Sequence, residues 1–233
     1  MTPTKIFAAL VTLVSVGACS GGPDPASRSP VGDQMTTHFE LAVDLRDHAV
    51  SGDLTRFRST ARALSTLEPT ADLPPDVFLQ FGPLRYEAEV AADARTVEAA
   101  AQGAAEVAAT CGDCHEQNGV SLPPAIPGPA VSRPVTDPSL HMERLSRVTG
   151  RLWAGLVAPN EADWQAGAAD LIDAGGLPGG LEGMVPDDML RQAAQRLVRL
   201  AEEAASTRDE RYRVRALGEI WGTCAECHQR VGS

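Results

Sequence analysis

The chain has 233 residues, of which 20 are Lys or Arg and 31 are Asp or Glu, giving a net charge of −11. This acidic balance argues against nucleic acid or an anionic membrane surface as the main partner, and an apolar fraction of 43% excludes a wholly disordered chain. Only 4% of the residues are aromatic, although the length allows a sizeable core. We therefore expect something other than Phe, Tyr and Trp to contribute to that core.

The N-terminal residues have the pattern of an export signal. Residues 1–5 carry one positive charge, residues 6–16 are apolar, and Gly17-Ala18-Cys19 supplies a small-residue cleavage site. The apolar run is too short to span a bilayer as a mature helix. A buried N-terminal helix is disfavoured because a Pro-, Gly- and Ser-rich stretch follows it. We predict that residues 1–18 are a signal peptide of an exported protein.

The cleavage region, Val16-Gly17-Ala18-Cys19, resembles a bacterial lipobox. The resemblance implies a periplasmic lipoprotein anchored to the membrane through lipid on Cys19, although ordinary signal peptidase could cut the same bond. Residues 19–34 are then predicted to form a flexible tether. Without its signal the chain has 19 Arg, no Lys and a net charge of −12. We expect a redox or other partner with a basic docking patch, and an association rate that falls with added salt.

The other four cysteines lie in two copies of one motif, Cys111-Gly-Asp-Cys114-His115 and Cys224-Ala-Glu-Cys227-His228. Cys-x-x-Cys-His is the attachment signature of c-type haem. The two thiols reach the vinyl groups of one porphyrin edge as thioethers, and the following imidazole ligates the iron. The motifs predict two covalently bound haem c groups, attached through Cys111, Cys114, Cys224 and Cys227, with His115 and His228 as proximal ligands.

Three other interpretations of these cysteines remain open. Two Cys-x-x-Cys pairs can form a Cys₄ zinc centre, but this leaves both adjacent histidines unexplained. A disulfide within each pair closes a very small loop of a kind found mainly in redox-active proteins. A thioredoxin-like role requires a βαβ context, and the surroundings of both motifs are rich in alanine instead.

The chain reads as an internal duplication. Residues 106–115 match residues 219–228 at an offset of 113, Phe57 matches Trp164 at 107, and His38 matches His141 at 103. Such repeats indicate two similar structural units. We predict a first haem unit over residues 35–120, a Pro-rich linker over 121–138 and a second haem unit over 139–233.

Apolar residues recur at intervals of three and four within each unit, which predicts helices and no sheet. In the first unit a break at 51–53 separates the first two helices, Leu73-Pro-Pro precedes the third at about 83–92, and the fourth covers about 94–109. In the second unit the helices are predicted at 139–157, 160–174, 187–205 and 209–228. The predicted fold class is all-α, with two tandem four-helix bundles that each end in a haem motif.

This layout resembles the cytochrome c-prime (class II) family, in which the haem motif ends a four-helix bundle. In that family the first helix faces the distal side of the iron, and the residue there is usually apolar or Met. Here the matching stretches contain His38 and His141, which are predicted as distal ligands with Met35 and Met142 as alternatives. His48 is expected to be exposed, and Trp221 is expected to lie against the second haem.

The predicted function is electron transfer by an exported dihaem c-type cytochrome with His/His ligation, not an enzyme activity. The alternative is a five-coordinate haem protein that binds or senses a small gas such as NO or CO. A dihaem peroxidase fits poorly, because it requires a haem motif near the start of each domain. Proteins of this bundle family often dimerise, so a homodimer is possible.

Overall fold

The computed structural model of the chain describes residues 30–71, 73–120, 137–175 and 186–231. In these ranges all regular structure is helical, with eight α-helices and no strands, which confirms the all-α prediction. The helices are α1 (Pro30–Ser51), α2 (Leu54–Thr66), α3 (Pro75–Ala92), α4 (Val97–Gln117), α5 (Pro138–Val157), α6 (Glu161–Ala174), α7 (Asp187–Ser206) and α8 (Glu210–Val231). None of these eight helices has the length and apolar content needed to cross a membrane. The predicted signal peptide, Cys19 and the greater part of the predicted linker lie outside the described residues.

The turn between α1 and α2 lies at the break predicted at residues 51–53. Gly52 has a φ of +73°, a left-handed conformation that glycine adopts without steric cost. The Asp53 carboxylate accepts the backbone N–H of Arg56 at 3.0 Å and so caps the first turn of α2. Asn160 caps α6 in the same way, accepting from the N–H groups of Ala162 and Asp163.

Removing the Asp53 cap should measurably destabilise the fold. We expect Asp53→Ala to cost about 1 kcal/mol, because the N–H of Arg56 loses its acceptor at the helix start. The corresponding fall in thermal midpoint is about 2–4 °C for a chain of this size, measured by circular dichroism. Asp53→Asn is the matched control and should retain most of the stability, since its side-chain oxygen still accepts. Equal midpoints for Asp53→Ala and the unmodified protein would contradict this account of the turn.

Three predicted boundaries are corrected by the structure. Helix α3 begins at Pro75, eight residues before the predicted start, and Pro83 lies inside it. Proline suits the first turn of a helix, where its missing N–H has no intrahelical partner. Pro83 is exposed, so the carbonyl left without its usual donor can be hydrated. The predicted start is wrong because Pro83 is tolerated within an exposed stretch of the helix and does not mark its first turn.

The predicted tether is too long, since residues 30–34 already belong to α1. Gln34 is buried, with 5% of its side chain exposed, and its Oε1 accepts the backbone N–H of Thr70 at 3.2 Å. This contact fixes the start of α1 to the segment that follows α2. The other boundary correction is at α4, which does not stop at Ala109 and continues through the motif to Gln117.

The helices pack as two sets joined along one central pair. Helices α1–α4 (the N-terminal half) contact one another in sequence, as do α5–α8 (the C-terminal half). The closest packing between the halves is α4 against α8, supported by α4 against α5 and α1 against α8. Gly218 lies against Gln102 and Gly222 against Glu98, so α4 and α8 run antiparallel.

Buried positions repeat between the halves. At an offset of 113, α4 and α8 bury matching residues, as do α3 and α7. The matching buried pairs are Ala101 and Val214, Ala104 and Leu217, Ala108 and Trp221, Ala88 and Ala201, and Ala91 and Ala204. The antiparallel pair therefore relates the two halves by an approximate twofold rotation.

Candidate cofactor sites

The two motifs lie at opposite ends of the α4–α8 pair. Given the antiparallel contacts of Gly218 and Gly222, Cys111 and Cys224 are separated by about 22 Å along the helix axes at 1.5 Å per residue. This separation excludes one Cys₄ centre shared by both pairs. In the described ranges, no group of three or more His, Cys, Asp or Glu side chains is arranged to hold a metal ion alone. The geometry gives two separate sites, named here the first site (Cys111–His115) and the second site (Cys224–His228).

The four motif cysteines are free thiols, and no disulfide joins either pair. Burial, followed by the neighbouring thiol of its own pair, raises the pKa of Cys111 and that of Cys224 to about 12. Burial also raises the pKa values of Cys114 and Cys227. Burial therefore disfavours the charged thiolate form at all four positions.

Each motif histidine is held by a backbone carbonyl of the other half. His115 Nδ1 lies 2.6 Å from the Val157 oxygen at the end of α5. His228 Nδ1 lies 2.8 Å from the Val50 oxygen near the end of α1. A carbonyl only accepts, so Nδ1 carries the proton in both rings. This tautomer makes Nε2 the ring nitrogen with a lone pair for a metal, as in histidine ligands oriented by an outer hydrogen bond.

The two carbonyl acceptors follow from helix geometry. The last four carbonyls of a helix have no intrahelical donor, and they form the negative end of the helix dipole. Val50 and Val157 occupy equivalent places, since the turns after them are capped by Asp53 and Asn160 at the same offset of 107. Helices α1 and α5 therefore each end against the motif of the opposite half. This exchange could not be predicted from the sequence, because it depends on how the halves pack.

His38 is buried in α1 with one ring nitrogen unpaired. Its side chain is 5% exposed, Nδ1 donates to the Gln34 carbonyl at 2.8 Å, and Nε2 is buried without a hydrogen-bond partner. Burial lowers the pKa of His38, against the opposing effect of the Gln34 hydrogen bond, and so favours neutral imidazole. An unpaired buried polar atom costs about 1–3 kcal/mol unless a ligand satisfies it. A metal ion bound to Nε2 would satisfy this atom.

Contacts through α3 connect His38 with the first motif. The Phe81 ring lies 4.8 Å from the His38 ring, centroid to centroid. The adjacent residue, Gln80, accepts from Cys114 Sγ at 3.0 Å and from the Asn118 side chain. The predicted distal histidine and one attachment cysteine of the first site thus contact the same turn of α3.

The second site is a cavity of about 380 Å³. His141 and Met142 of α5, both predicted as distal candidates, line it together with Cys224, Cys227 and His228. Most of its other lining residues come from α1, α5 and α7, among them Arg46, Asp47, Leu145, Thr149, Leu190, Ala193, Ala194 and Leu197. Burial, with a smaller effect of Arg144, lowers the pKa of His141.

The predicted equivalence of His38 and His141 is wrong. Helices α1 and α5 align at an offset of 107, the offset of Val50 with Val157 and of the buried pair Phe57 and Trp164. Both helices are continuous, so no insertion shifts the register between them. His38 therefore corresponds to Leu145, and His141 corresponds to Gln34. The predicted alternatives do correspond, since Met35 matches Met142 at 107.

The positions of Trp221 and His48 differ from expectation, and Met142 takes part in apolar packing. Trp221 is fully buried in the helical core and is not among the side chains that line the second cavity. His48 is half-buried, not exposed. Met142 packs with Met189 and Val231 against Leu190.

The residues of both sites fit a covalently attached haem. Each site combines two thiols three positions apart, a following histidine with Nδ1 committed to a carbonyl, and a buried histidine on a facing helix. No family model matches the chain, and no curated protein or solved structure shows significant similarity to it.

Proposed function

We propose that the protein is an exported dihaem c-type cytochrome that carries single electrons. The observation that carries the proposal is the paired arrangement of the motif histidines. In both motifs Nδ1 is hydrogen-bonded to a helix-end carbonyl, His115 to Val157 and His228 to Val50. This arrangement orients Nε2 as a metal ligand and raises its basicity.

When bound, haem supplies a one-electron iron couple at each site. Cys111 and Cys114, and likewise Cys224 and Cys227, hold the group covalently. His38 contributes Nε2 on the distal side of the first site, where its burial excludes water. At the second site, His141 and Met142 line the cavity and are the candidate distal ligands outside the motif.

We interpret the two helical halves as tandem four-helix haem units derived by duplication. The recurrence of buried residues at 113 in α3, α4, α7 and α8 supports this interpretation. The motif histidines are separated by roughly 35 Å along the α4–α8 axes, which does not favour direct transfer between the two haems. We expect each site to exchange electrons with partners at its own end of the molecule.

The partner is expected to be a protein with a basic docking surface. Without the predicted signal the chain carries 31 acidic residues and no lysine, so electrostatic attraction favours a cationic partner. An N-terminal lipid on Cys19 would anchor the protein to the periplasmic face of a membrane, so that electron transfer takes place there.

A redox titration of the holoprotein tests the function. We expect reversible one-electron reduction at both haems, followed by their absorption bands. In stopped-flow mixing with a lysine-rich class I cytochrome c as electron acceptor, the second-order rate should fall steeply between low and high salt. Irreversible reduction, or a transfer rate that rises with salt, would contradict the proposal.

A further inference from the structure

We propose that the two sites differ on their distal sides. His38 closes the first site, whereas the second leaves the sixth iron position open to a small neutral ligand such as carbon monoxide or nitric oxide. This inference rests on the proposed function, because it requires haem at both sites.

The helix register carries the first part of the argument. With α1 and α5 aligned at 107, the residue of the second site that corresponds to His38 is Leu145. Leu145 lines the second cavity and has no atom able to ligate iron. His141 lies one helical turn nearer the start of α5, a shift of about 6 Å along the axis. Its counterpart in the first half is Gln34, whose Oε1 accepts from the Thr70 N–H and whose backbone carbonyl accepts from His38 Nδ1.

The helix facing the distal side also differs between the sites, since α7 has smaller side chains at the second site than α3 has at the first. At the offset of 113, Gln80 and Phe81 of α3 correspond to Ala193 and Ala194 of α7. In the first site Phe81 lies against the His38 ring and Gln80 contacts Cys114. In the second site both alanines line the cavity, so that side chains of one carbon replace an amide and an aromatic ring.

Met142 is the other candidate ligand at the second site, and the packing assigns it a different role. It lines the cavity and also packs in a small apolar cluster with Leu190, Met189 and Val231. Met35, its counterpart at the offset of 107, is partly buried in α1. The described contacts therefore account for Met142 through packing.

The lining of the second cavity favours a neutral ligand. The charged side chains among its lining residues, Arg46 and Asp47, pair with each other at 2.7 Å. Most of the other lining side chains from α5 and α7 are apolar, including Leu145, Leu190 and Leu197, and an anion would lose hydration against them without a charge partner. Carbon monoxide binds ferrous iron without any net electron or proton transfer, so it is a suitable probe.

The test is carbon monoxide titration of the reduced holoprotein, with haem counted independently as the pyridine haemochrome. We expect one carbon monoxide per two haems in the unmodified protein. We expect two per two haems in His38→Ala, and none in Leu145→His. His48→Ala is the control, because His48 lies in neither site. Electron paramagnetic resonance of the oxidised unmodified protein should show one low-spin and one high-spin iron in equal amounts, a measurement that requires no variant.

Other outcomes overturn the inference in distinct ways. Two low-spin irons and no carbon monoxide binding would show that the second site has a protein ligand, and whichever of His141→Ala or Met142→Leu then opens that site would identify it. Carbon monoxide at both haems of the unmodified protein would show that His38 does not ligate. A preparation with fewer than two haems per chain would instead contradict the proposed function.

Discussion

Replacing both Cys111 and Cys114 with alanine is expected to reduce the haem content of the exported protein from two groups per chain to one. The two thiols of a motif are the covalent attachment points, and the other motif lies about 22 Å away along the helix axes. The loss at one site should therefore leave the other loaded. Haem content is measured as the pyridine haemochrome relative to protein mass.

The matched variant, with Cys224 and Cys227 replaced by alanine, should lose the other haem. Because each variant is expected to retain one haem, the absorption spectra of the two variants should add up to the spectrum of the unmodified protein. Loss of both haems in both variants, despite a retained helical fold, would show that attachment at one site depends on the other. Retention of two haems in either variant would contradict covalent attachment through these motifs.

The second large effect is expected from Gly112→Ala. A β-carbon at Gly112 would overlap the carbonyl oxygen of Leu156 and lie 3.5 Å from Pro159 Cγ, so α4 and α5 must separate. We expect a loss of about 1–3 kcal/mol in the free energy of unfolding, even after the higher helix propensity of alanine. The separation should also weaken the bond from His115 to the Val157 carbonyl. A less basic proximal ligand raises the reduction potential, so only the first haem should shift upward.

Gly150→Ala in α5 is the control for this substitution. No atom other than its own helix lies within 4 Å of a β-carbon built there, so alanine should be neutral or slightly stabilising. Thermal unfolding and a two-component redox titration measure both effects. An unchanged first potential in Gly112→Ala would show that the Val157 carbonyl does not influence the proximal histidine.

The helical pattern was largely readable from the sequence because the apolar residues recur regularly and the turns carry strong signals. The break at 51–53 and the start of α6 after Asn160 agree with the structure, and both depend on local capping. The start of α3 was missed because Pro83 is tolerated inside an exposed helix face. The start of α1 was missed because Gln34 is fixed by Thr70, a tertiary contact.

The correspondence between residues of α1 and α5 was predicted incorrectly for a different reason. The sequence pairs His38 with His141 at an offset of 103, but an uninterrupted helix cannot change offset between His38 and Val50, and Val50 matches Val157 at 107. Extending the Phe57–Trp164 offset of 107 upstream pairs Met35 with Met142 and His38 with Leu145. The sequence contained this information, and helix continuity in the structure made it decisive.

The sequence does not predict that each motif histidine bonds to a backbone carbonyl of the other half. Val50 and Val157 are ordinary apolar residues, and their carbonyls matter only because α1 and α5 end against the opposite motif. Small residues gave a partial signal, since Gly112, Gly218 and Gly222 allow the close helix contacts on which this packing depends. Which helices meet at these glycines could not be deduced from spacing.

The central claim is that this chain holds two covalently attached haems. The most direct measurement is the intact mass of the exported protein under denaturing conditions, which remove any haem that is not covalently bound. We predict a mass equal to the processed chain plus two haem groups, together with a c-type pyridine haemochrome spectrum. A mass equal to the polypeptide alone, obtained from cells that mature other c-type cytochromes normally, would contradict the account.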